Sequence, residues 1–155
     1  MNNGIKASVS GIRGVLGESL TPPVVLGYVN AYAGWLGKGT VAVGRDTRSH
    51  GTAIQEFVES VLMACGINVV DLGIVPTPTL LHYVRENGLD GGILVTASHN
   101  PIEWNALKLV KKGGLFLNQA DFESLSKLFS DTVPKGLYKP AAGIGNKQVD
   151  DAAPV

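Results

Sequence analysis

The sequence predicts an α/β fold, namely a three-layer α/β/α domain around a mixed, mostly parallel four-stranded sheet. Short β-branched runs alternate with longer stretches of helical periodicity, which is the order typical of βαβ units. The 20 glycines among 155 residues stand mainly where apolar runs stop, as tight connections between strands and helices require. With 45% hydrophobic residues, a chain of this length can bury a core as one domain without disulfides or metals.

Four strands and three helices are predicted in alternation up to residue 96. The strands are residues 5–9, 40–43, 68–72 and 92–96, which are short and rich in β-branched side chains. The first helix begins at Pro22, with Thr21 as its N-cap, and ends before Gly37. The second runs from residue 49 or 51 to residue 66, and the third from residue 77 or 78 to residues 87–88.

The pattern changes after residue 96. A polar loop precedes residues 106–111 and 115–117, which predict a strand and a hairpin antiparallel to its neighbour. Asn118 is then the predicted N-cap of a helix that continues through Leu128. Residues 1–130 are predicted to form one domain. Residues 131–155, with three prolines and three glycines, are predicted to be a linker or tail toward a second domain.

Composition excludes several classes of protein. The 13 basic and 13 acidic side chains cancel, so the chain lacks the basic excess of a nucleic-acid or membrane-surface binder. Cys65 is the single cysteine, and residues 1–10 lack the pattern of a signal peptide, so a cytoplasmic location is expected. Neither a P-loop nor a dinucleotide-binding glycine pattern is present.

Polar side chains gather just after the predicted strands. In a parallel sheet the carboxyl ends of the strands meet at one edge, which is where ligands bind. Arginine forks pair with phosphate oxygens, and a serine hydroxyl can carry a phosphoryl group. These loops therefore predict a phosphate site, with Asn100, Arg45 and Arg48 as substrate-binding residues. The candidate residues in the three loops are Arg13, Arg45, Arg48, Ser98, His99 and Asn100.

The loop Thr-Ala-Ser-His-Asn-Pro, residues 96–101, is the densest of these sites. One interpretation is functional, with the Ser98 hydroxyl holding a phosphate. The other is structural, because Ser98 and Asn100 side chains often bond to the backbone of turns. A protease-like triad fits poorly, since Ser98 and His99 are sequence neighbours and no glycine-flanked serine elbow is present.

Two further residues follow the serine loop, and the arginine loop allows a second interpretation. Lys108 stands ten residues after Ser98 on the next predicted strand, where it is either a general base or a solvated lysine. Trp104 either packs beside the loop or stacks on a sugar ring. Arg45 and Arg48 either contact substrate or pair with Asp46 to fix their own loop.

Three motifs point to a known family. Gly-Ile-Arg-Gly at residues 11–14, Val-Gly-Arg-Asp-Thr-Arg-Ser-His-Gly at 43–51 and the serine loop with its lysine occur in this order. Together they resemble the N-terminal domain of the α-D-phosphohexomutases, which include phosphoglucomutase, phosphomannomutase and phosphoglucosamine mutase. The resemblance covers about residues 5–129.

The resemblance implies an isomerase that works through a phosphoserine. Ser98 would pass its phosphoryl group to a hexose 1- or 6-phosphate and take one back from the bisphosphorylated sugar. Lys108 would be the general acid/base, His99 a supporting catalytic residue and Arg13 a contact to the phosphoserine or to Lys108. A Ser98 phosphate oxygen would bind Mg²⁺, which neutralises charge on the transferring group.

The family's metal, sugar and phosphate loops of its other domains have no counterpart in this sequence. The chain is therefore expected to be the first domain of a longer enzyme and inactive by itself, with a hexose phosphate and the further domains as its partners. An exposed apolar inter-domain face would give weak self-association. The alternative is a non-catalytic sugar-phosphate binding or regulatory module with the same fold.

Overall fold

The computed structural model describes residues 4–129 and 136–150, which form an α/β/α domain around one mixed sheet. The sheet has eight strands within these residues. They are β1 (Lys6–Ser8), β2 (Gly11–Val15), β3 (Thr40–Arg45), β4 (Asn68–Ile74), β5 (Gly91–Val95), β6 (Trp104–Lys111), β7 (Leu115–Phe116) and β8 (Lys147–Val149). Their spatial order is β1-β2-β6-β5-β3-β4-β8, with β7 paired to β6.

Four α-helices of the described residues cover the two faces of the sheet. They are α1 (Pro22–Leu36), α2 (Gly51–Ala64), α3 (Thr77–Glu86) and α4 (Gln119–Ser126). Helices α1, α2 and α4 bury their apolar side chains against one face, where Val41, Ile93 and Leu107 point. Helix α3 packs on the other face, against Ala42 and Leu94. The alternation of neighbouring strand residues between the two cores is the period-two geometry of a β-strand.

The predicted fold class is confirmed, but the predicted sheet is wrong in size and in its mostly parallel character. Within the described residues, three of the seven strand pairings are parallel: β5 with β3, β3 with β4, and β4 with β8. The predicted first strand is one arm of a hairpin: the chain turns at residues 9–10 and returns as β2, whose first residue, Gly11, adopts a φ of 116°. β6 then lies antiparallel between β2 and β5.

The predicted helices agree closely with the structure. Thr21, Gly37 and Asn87 stand at the ends where the sequence signals place them. Asn118 caps α4 with a reciprocal pair of bonds to Asp121, in which each side chain accepts from the other residue's backbone N–H. Cys65 is buried, and burial raises the pKa of its thiol to about 11. No helix of the described residues is long and apolar enough to cross a membrane.

Part of the predicted linker belongs to the sheet. Residues 131–135 and 151–155 of that range lie outside the described residues. Residues 136–150, in contrast, pack on the domain through a 3-10 turn at Ala141–Gly143 and through β8, which extends the sheet beside β4. A strand of three residues is too short to show alternation in the sequence, so the pattern gave no sign of it.

A buried charge cluster attaches β8 to the rest of the domain. The Lys147 Nζ lies 2.6 Å from Glu59 Oε2 and 2.9 Å from Asp71 Oδ2. Gln55 on α2 donates to both carboxylates, at 2.8 Å and 2.5 Å. Glu59 is only 2% exposed, so these partners offset the cost of burying its carboxylate. The cluster therefore links α2, β4 and β8 through one lysine.

The cluster makes stability depend on pH in the acidic range. Burial alone would raise the pKa of Asp71, but the bonds from Lys147, the Gly73 amide and Gln55 hold that pKa below its ordinary value. This contribution is complete above the unfolded-state value of about 4 and is lost as the pH falls through the lower folded-state value. We expect the free energy of unfolding, measured by urea titration, to fall less steeply below about pH 4 in Asp71→Asn than in the wild type.

The matched control for this measurement is Glu123→Gln, which removes an exposed carboxylate on α4. It should leave the acidic slope unchanged. Equal slopes for Asp71→Asn and the wild type would show that Asp71 does not contribute to acid sensitivity.

Candidate active site

Ser98 stands at the carboxyl end of β5 in an uncommon backbone conformation. Its φ is 54°, and it is the one non-glycine residue of the described ranges with a positive φ. Such a conformation costs free energy and persists where the surroundings enforce it. The residues before it, Thr96 and Ala97, are buried, whereas Ser98 is exposed. The strained turn thus raises the hydroxyl from a buried strand end toward solvent.

Arg48 holds this loop from the neighbouring loop after β3. Its Nη1 donates to the carbonyl oxygens of Pro101 at 2.8 Å and Trp104 at 3.3 Å. Its Nη2 donates to those of Ser98 at 3.1 Å and Asn100 at 2.7 Å. One guanidinium therefore binds four carbonyls of the segment 98–104, which a planar fork of five donors allows.

Asp46 completes the contact between the two loops. Its Oδ2 accepts from Arg48 Nε at 3.2 Å and from the Thr96 hydroxyl at 2.8 Å. The same Thr96 oxygen accepts the backbone N–H of Ser98 at 3.2 Å. A chain of hydrogen bonds thus runs from Arg48 through Asp46 and Thr96 to the Ser98 backbone. We call Asp46, Arg48 and Thr96 the loop clamp.

A cavity of about 300 Å³ opens beside Ser98, and we call it the anion pocket. Gly11 forms part of its floor, where a Cβ atom would overlap the Leu107 carbonyl oxygen. Among residues 4–129 and 136–150, three cations and no carboxylate line the pocket. In a chain whose charges balance, such a cluster favours an anionic ligand. The lining residues are Lys6, Ser8, Ser10, Gly11, Arg13, Thr96, Ala97, Ser98, His99, Asn100, Ala106 and Lys108.

The strand register explains why these cations meet. Lys6 on β1 is opposite Arg13 on β2, and Arg13 is opposite Ala106 on β6. Lys108 is two residues further along β6, on the same face of the sheet. The position of Arg13 corrects the expectation of a strand-end loop at residues 10–14, because Gly11–Val15 form β2 instead. Arg13 reaches the pocket from the side of the sheet.

The remaining predicted residues divide between the pocket and its surroundings. His99 Nδ1 lies 3.4 Å from Ser98 Oγ, and Asn100 folds back to donate to the Ala97 carbonyl at 2.6 Å. Arg48 lines a second cavity on the other side of Ser98, together with Asp46. Arg45 lines neither cavity and donates to the Asp46 carbonyl at 3.3 Å. The contacts of Arg48 favour the loop-fixing interpretation over direct binding of substrate.

Sequence reasoning missed Lys6 as a residue of the pocket. The prediction of a strand at residues 5–9 followed by a loop did not include the antiparallel pairing of β1 with β2, which places Lys6 opposite Arg13. The available signal was Gly11, a glycine directly after the turn at residues 9–10. The structure brings the Lys6 ammonium to the Trp104 ring, 5.6 Å from the centroid.

The described residues offer few ligands for a metal ion. They contain no group of three or more His, Cys, Asp or Glu side chains suited to metal binding. Asp46, the carboxylate in the loop clamp, is already engaged by Arg48 and Thr96. A phosphate on Ser98 would add oxygen ligands at an exposed position.

Fold and site together define an α/β/α domain with an anion pocket beside a strand-end serine. A comparison with family models matches residues 4–133 to the phosphoglucomutase/phosphomannomutase family, alpha/beta/alpha domain I. The chain belongs to this family of phosphohexomutases and corresponds to its first domain.

Relatives of known name agree with this assignment. A probable phosphoglucosamine mutase of Methanopyrus kandleri is 53% identical over 106 residues, covering 68% of this chain and 24% of that protein. A phosphoglucosamine mutase of Clostridium tetani is 34% identical over 149 residues, covering 92% of this chain and 33% of that protein. A putative phosphomannomutase from Thermus thermophilus has a similar structure, with a TM-score of 0.83 and 30% identity over 97% of this chain and 34% of that one. The chain thus spans about a quarter to a third of these relatives.

Proposed function

We propose that this domain carries the phosphoserine of a mutase that interconverts hexose 1-phosphate and hexose 6-phosphate. The observation that carries the proposal is the conformation of Ser98, which the loop clamp holds at a positive φ beside a pocket of three cations. A strained, exposed serine facing cations is suited to holding a phosphoryl group and passing it on.

Each phosphoryl transfer moves a proton in the opposite direction. The bond between phosphorus and Ser98 Oγ breaks as a bond to a sugar hydroxyl oxygen forms; a base removes the hydroxyl proton, and the departing Ser98 oxygen takes up a proton. The second transfer reverses these steps and returns the other phosphate of the bisphosphorylated sugar to Ser98. Lys108, on the same face of the sheet as Arg13, is the proposed acid/base. Arg13 binds the phosphate oxygens, and His99, 3.4 Å from Ser98 Oγ, supports the exchange. Asn100 and Arg45 remain proposed substrate contacts.

A Mg²⁺ ion belongs to this proposal as a family property. It would be bound through an oxygen of the Ser98 phosphate, with its other ligands from outside this chain, and it would neutralise charge on the transferring group.

The substrate and partners follow from the relatives. Two of those described above are named phosphoglucosamine mutases, so hexosamine phosphates are the first sugars to assay. Ile102, beside the serine loop, and Ile74, at the end of β4, are 60% and 53% exposed. We propose that further domains of the enzyme cover this apolar edge, and that without them the chain self-associates weakly. A cytoplasmic location stays a prediction.

The proposed phosphoserine is tested in a chimera. Residues 4–129 of this chain would replace the corresponding part of the Clostridium tetani mutase, which supplies the further domains. We expect intact-mass measurement to find one phosphoryl group on Ser98 and the chimera to interconvert hexosamine phosphates. Ser98→Ala should abolish the modification and lower turnover by at least about 10³-fold, because the phosphoryl acceptor is lost.

Ser60→Ala on α2 is the control, since Ser60 is exposed and its hydroxyl bonds only to its own helix. A chimera in which Ser98→Ala keeps its turnover would refute the phosphoserine. A folded chimera that binds hexosamine phosphates while Ser98 stays unmodified would favour the alternative of a non-catalytic binding module.

A further inference from the structure

Lys6 is a cation of the anion pocket to which the functional proposal gives no role. It lies on β1 directly opposite Arg13, on the same face of the sheet as Lys108. The chain turns at residues 9–10, so β1 and β2 form a hairpin along one side of the pocket. Lys6 is exposed along its length, but its ammonium lies 5.6 Å from the centroid of the Trp104 ring.

The Trp104 contact limits where this ammonium can go. A cation over an indole face is attracted by the ring, and the attraction reduces the freedom of a long side chain. Trp104 stands two residues before Ala106 on β6, so its ring lies at the border of the pocket floor. The tryptophan that follows the serine loop thus acts as a platform for Lys6, an arrangement distinct from a sugar-stacking surface.

The charges of the pocket also favour binding of an anion. Within residues 4–129 and 136–150, no carboxylate forms an ion pair with Lys6, Arg13 or Lys108. Lys111 and Lys112, two neighbouring lysines outside the pocket, are paired with Asp121 and Asp90. The Lys108 ammonium lies 5.9 Å from the centroid of the Phe116 ring. The pocket therefore combines three cationic residues for which the described residues provide no paired carboxylate, and such a set favours an anionic ligand.

We propose that Lys6 is an anion-binding residue, which shares with Arg13 the phosphate that enters the pocket. This inference rests on the proposed function, because it extends the same site. The ligand class is a phosphate monoester or free phosphate, whose oxygens accept from the ammonium and from the Arg13 fork at once. Trp104 is a positioning residue that holds Lys6 at the border of the pocket.

The test uses inorganic phosphate and the 155-residue chain, with binding followed by NMR shifts of the backbone amides of Gly11 and Ser98. We expect Lys6→Ala to weaken phosphate binding by about fivefold to tenfold, since one charged hydrogen bond is lost. Lys6→Arg should bind within about twofold of the wild type, because a cation is kept. Trp104→Leu should weaken binding by about threefold, because it removes the cation–π contact and leaves the charge.

Lys38→Ala is the control variant, since Lys38 is an exposed lysine outside the anion pocket, and it should bind phosphate as the wild type does. Unchanged binding by Lys6→Ala, with a loss in Arg13→Ala, would overturn the role of Lys6 and leave the proposed function standing. Absence of any shift in the wild type at Gly11 and Ser98 would overturn the inference, whereas the modification of Ser98 in the chimera would still decide the proposed function. A loss in Lys6→Ala that Lys6→Arg does not restore would indicate a structural role and overturn the inference as well.

Discussion

Arg48→Ala is expected to loosen the serine loop and to lower the free energy of unfolding by about 2 kcal/mol. The wild-type guanidinium is 12% exposed and binds four carbonyl oxygens besides Asp46. An alanine leaves these oxygens to water and leaves Asp46 without its cation. The amides of Ser98 and Asn100 should then exchange with solvent at least about tenfold faster, because the loop opens more often. Denaturant titration and hydrogen exchange measure the two effects.

Two further variants separate the geometry of this contact from its charge. Arg48→Lys keeps a cation, but an ammonium cannot bind four carbonyls in one plane. The amides of Ser98 and Asn100 should therefore still exchange nearly as fast as in Arg48→Ala. Arg85→Ala removes an arginine that is 62% exposed and paired with Glu86, and it should change stability by less than about 0.5 kcal/mol. If the amides of Ser98 and Asn100 exchanged in Arg48→Ala as slowly as in the wild type, the role of Arg48 in holding the serine loop would be refuted.

Lys147→Met is expected to cost about 3 kcal/mol of unfolding free energy, because it leaves Glu59 buried without its cation. Glu59 is 2% exposed, and the Lys147 ammonium lies 2.6 Å from it and 2.9 Å from Asp71. The side chain of Lys147 is itself 33% exposed, so water offsets part of the loss. Urea titration at neutral pH measures the change, and β8 should lose its exchange protection first.

The double variant Lys147→Met with Glu59→Gln tests the stated cause. Removing the buried charge together with its partner should recover part of the stability lost in the single variant. Lys127→Met, at the exposed end of α4, is the control and should stay within about 0.5 kcal/mol of the wild type. A double variant less stable than Lys147→Met would contradict the interpretation that an unpaired charge causes the loss.

The elements with long periodic patterns were predictable. The ends of helices such as α1 are marked by the local sequence, here by Pro22 at the start and Gly37 at the end. The central strands β3, β4 and β5 are runs of β-branched residues with no helical period. The shortest strands, β1, β7 and β8, were predicted only in part or not at all. Two or three residues are too few to show an alternating hydrophobic pattern, and whether they form a strand depends on pairing with the rest of the sheet.

The candidate site was predictable in its residues more than in its arrangement. The density of polar groups in residues 96–101 identified Ser98, and the position of Lys108 followed from an antiparallel return. The partners of Arg48 were not predictable, since they are backbone carbonyls and carbonyls carry no sequence signature. The position of Arg13 depended on the pairing of β1 with β2 across the turn at residues 9–10, and composition does not reveal the positive φ that Gly11 adopts beside this turn.

The contacts of Arg48 with the serine loop have a consequence for engineering. Its four partners in segment 98–104 are main-chain oxygens, so side chains at positions such as His99 and Ile102 can be exchanged without removing a single one of those bonds. The conformation of this segment therefore depends largely on Asp46 and Arg48, which lie in a different part of the chain. Grafting residues 96–101 alone onto another scaffold would transfer the serine without its geometry, whereas moving them together with Asp46 and Arg48 would carry both.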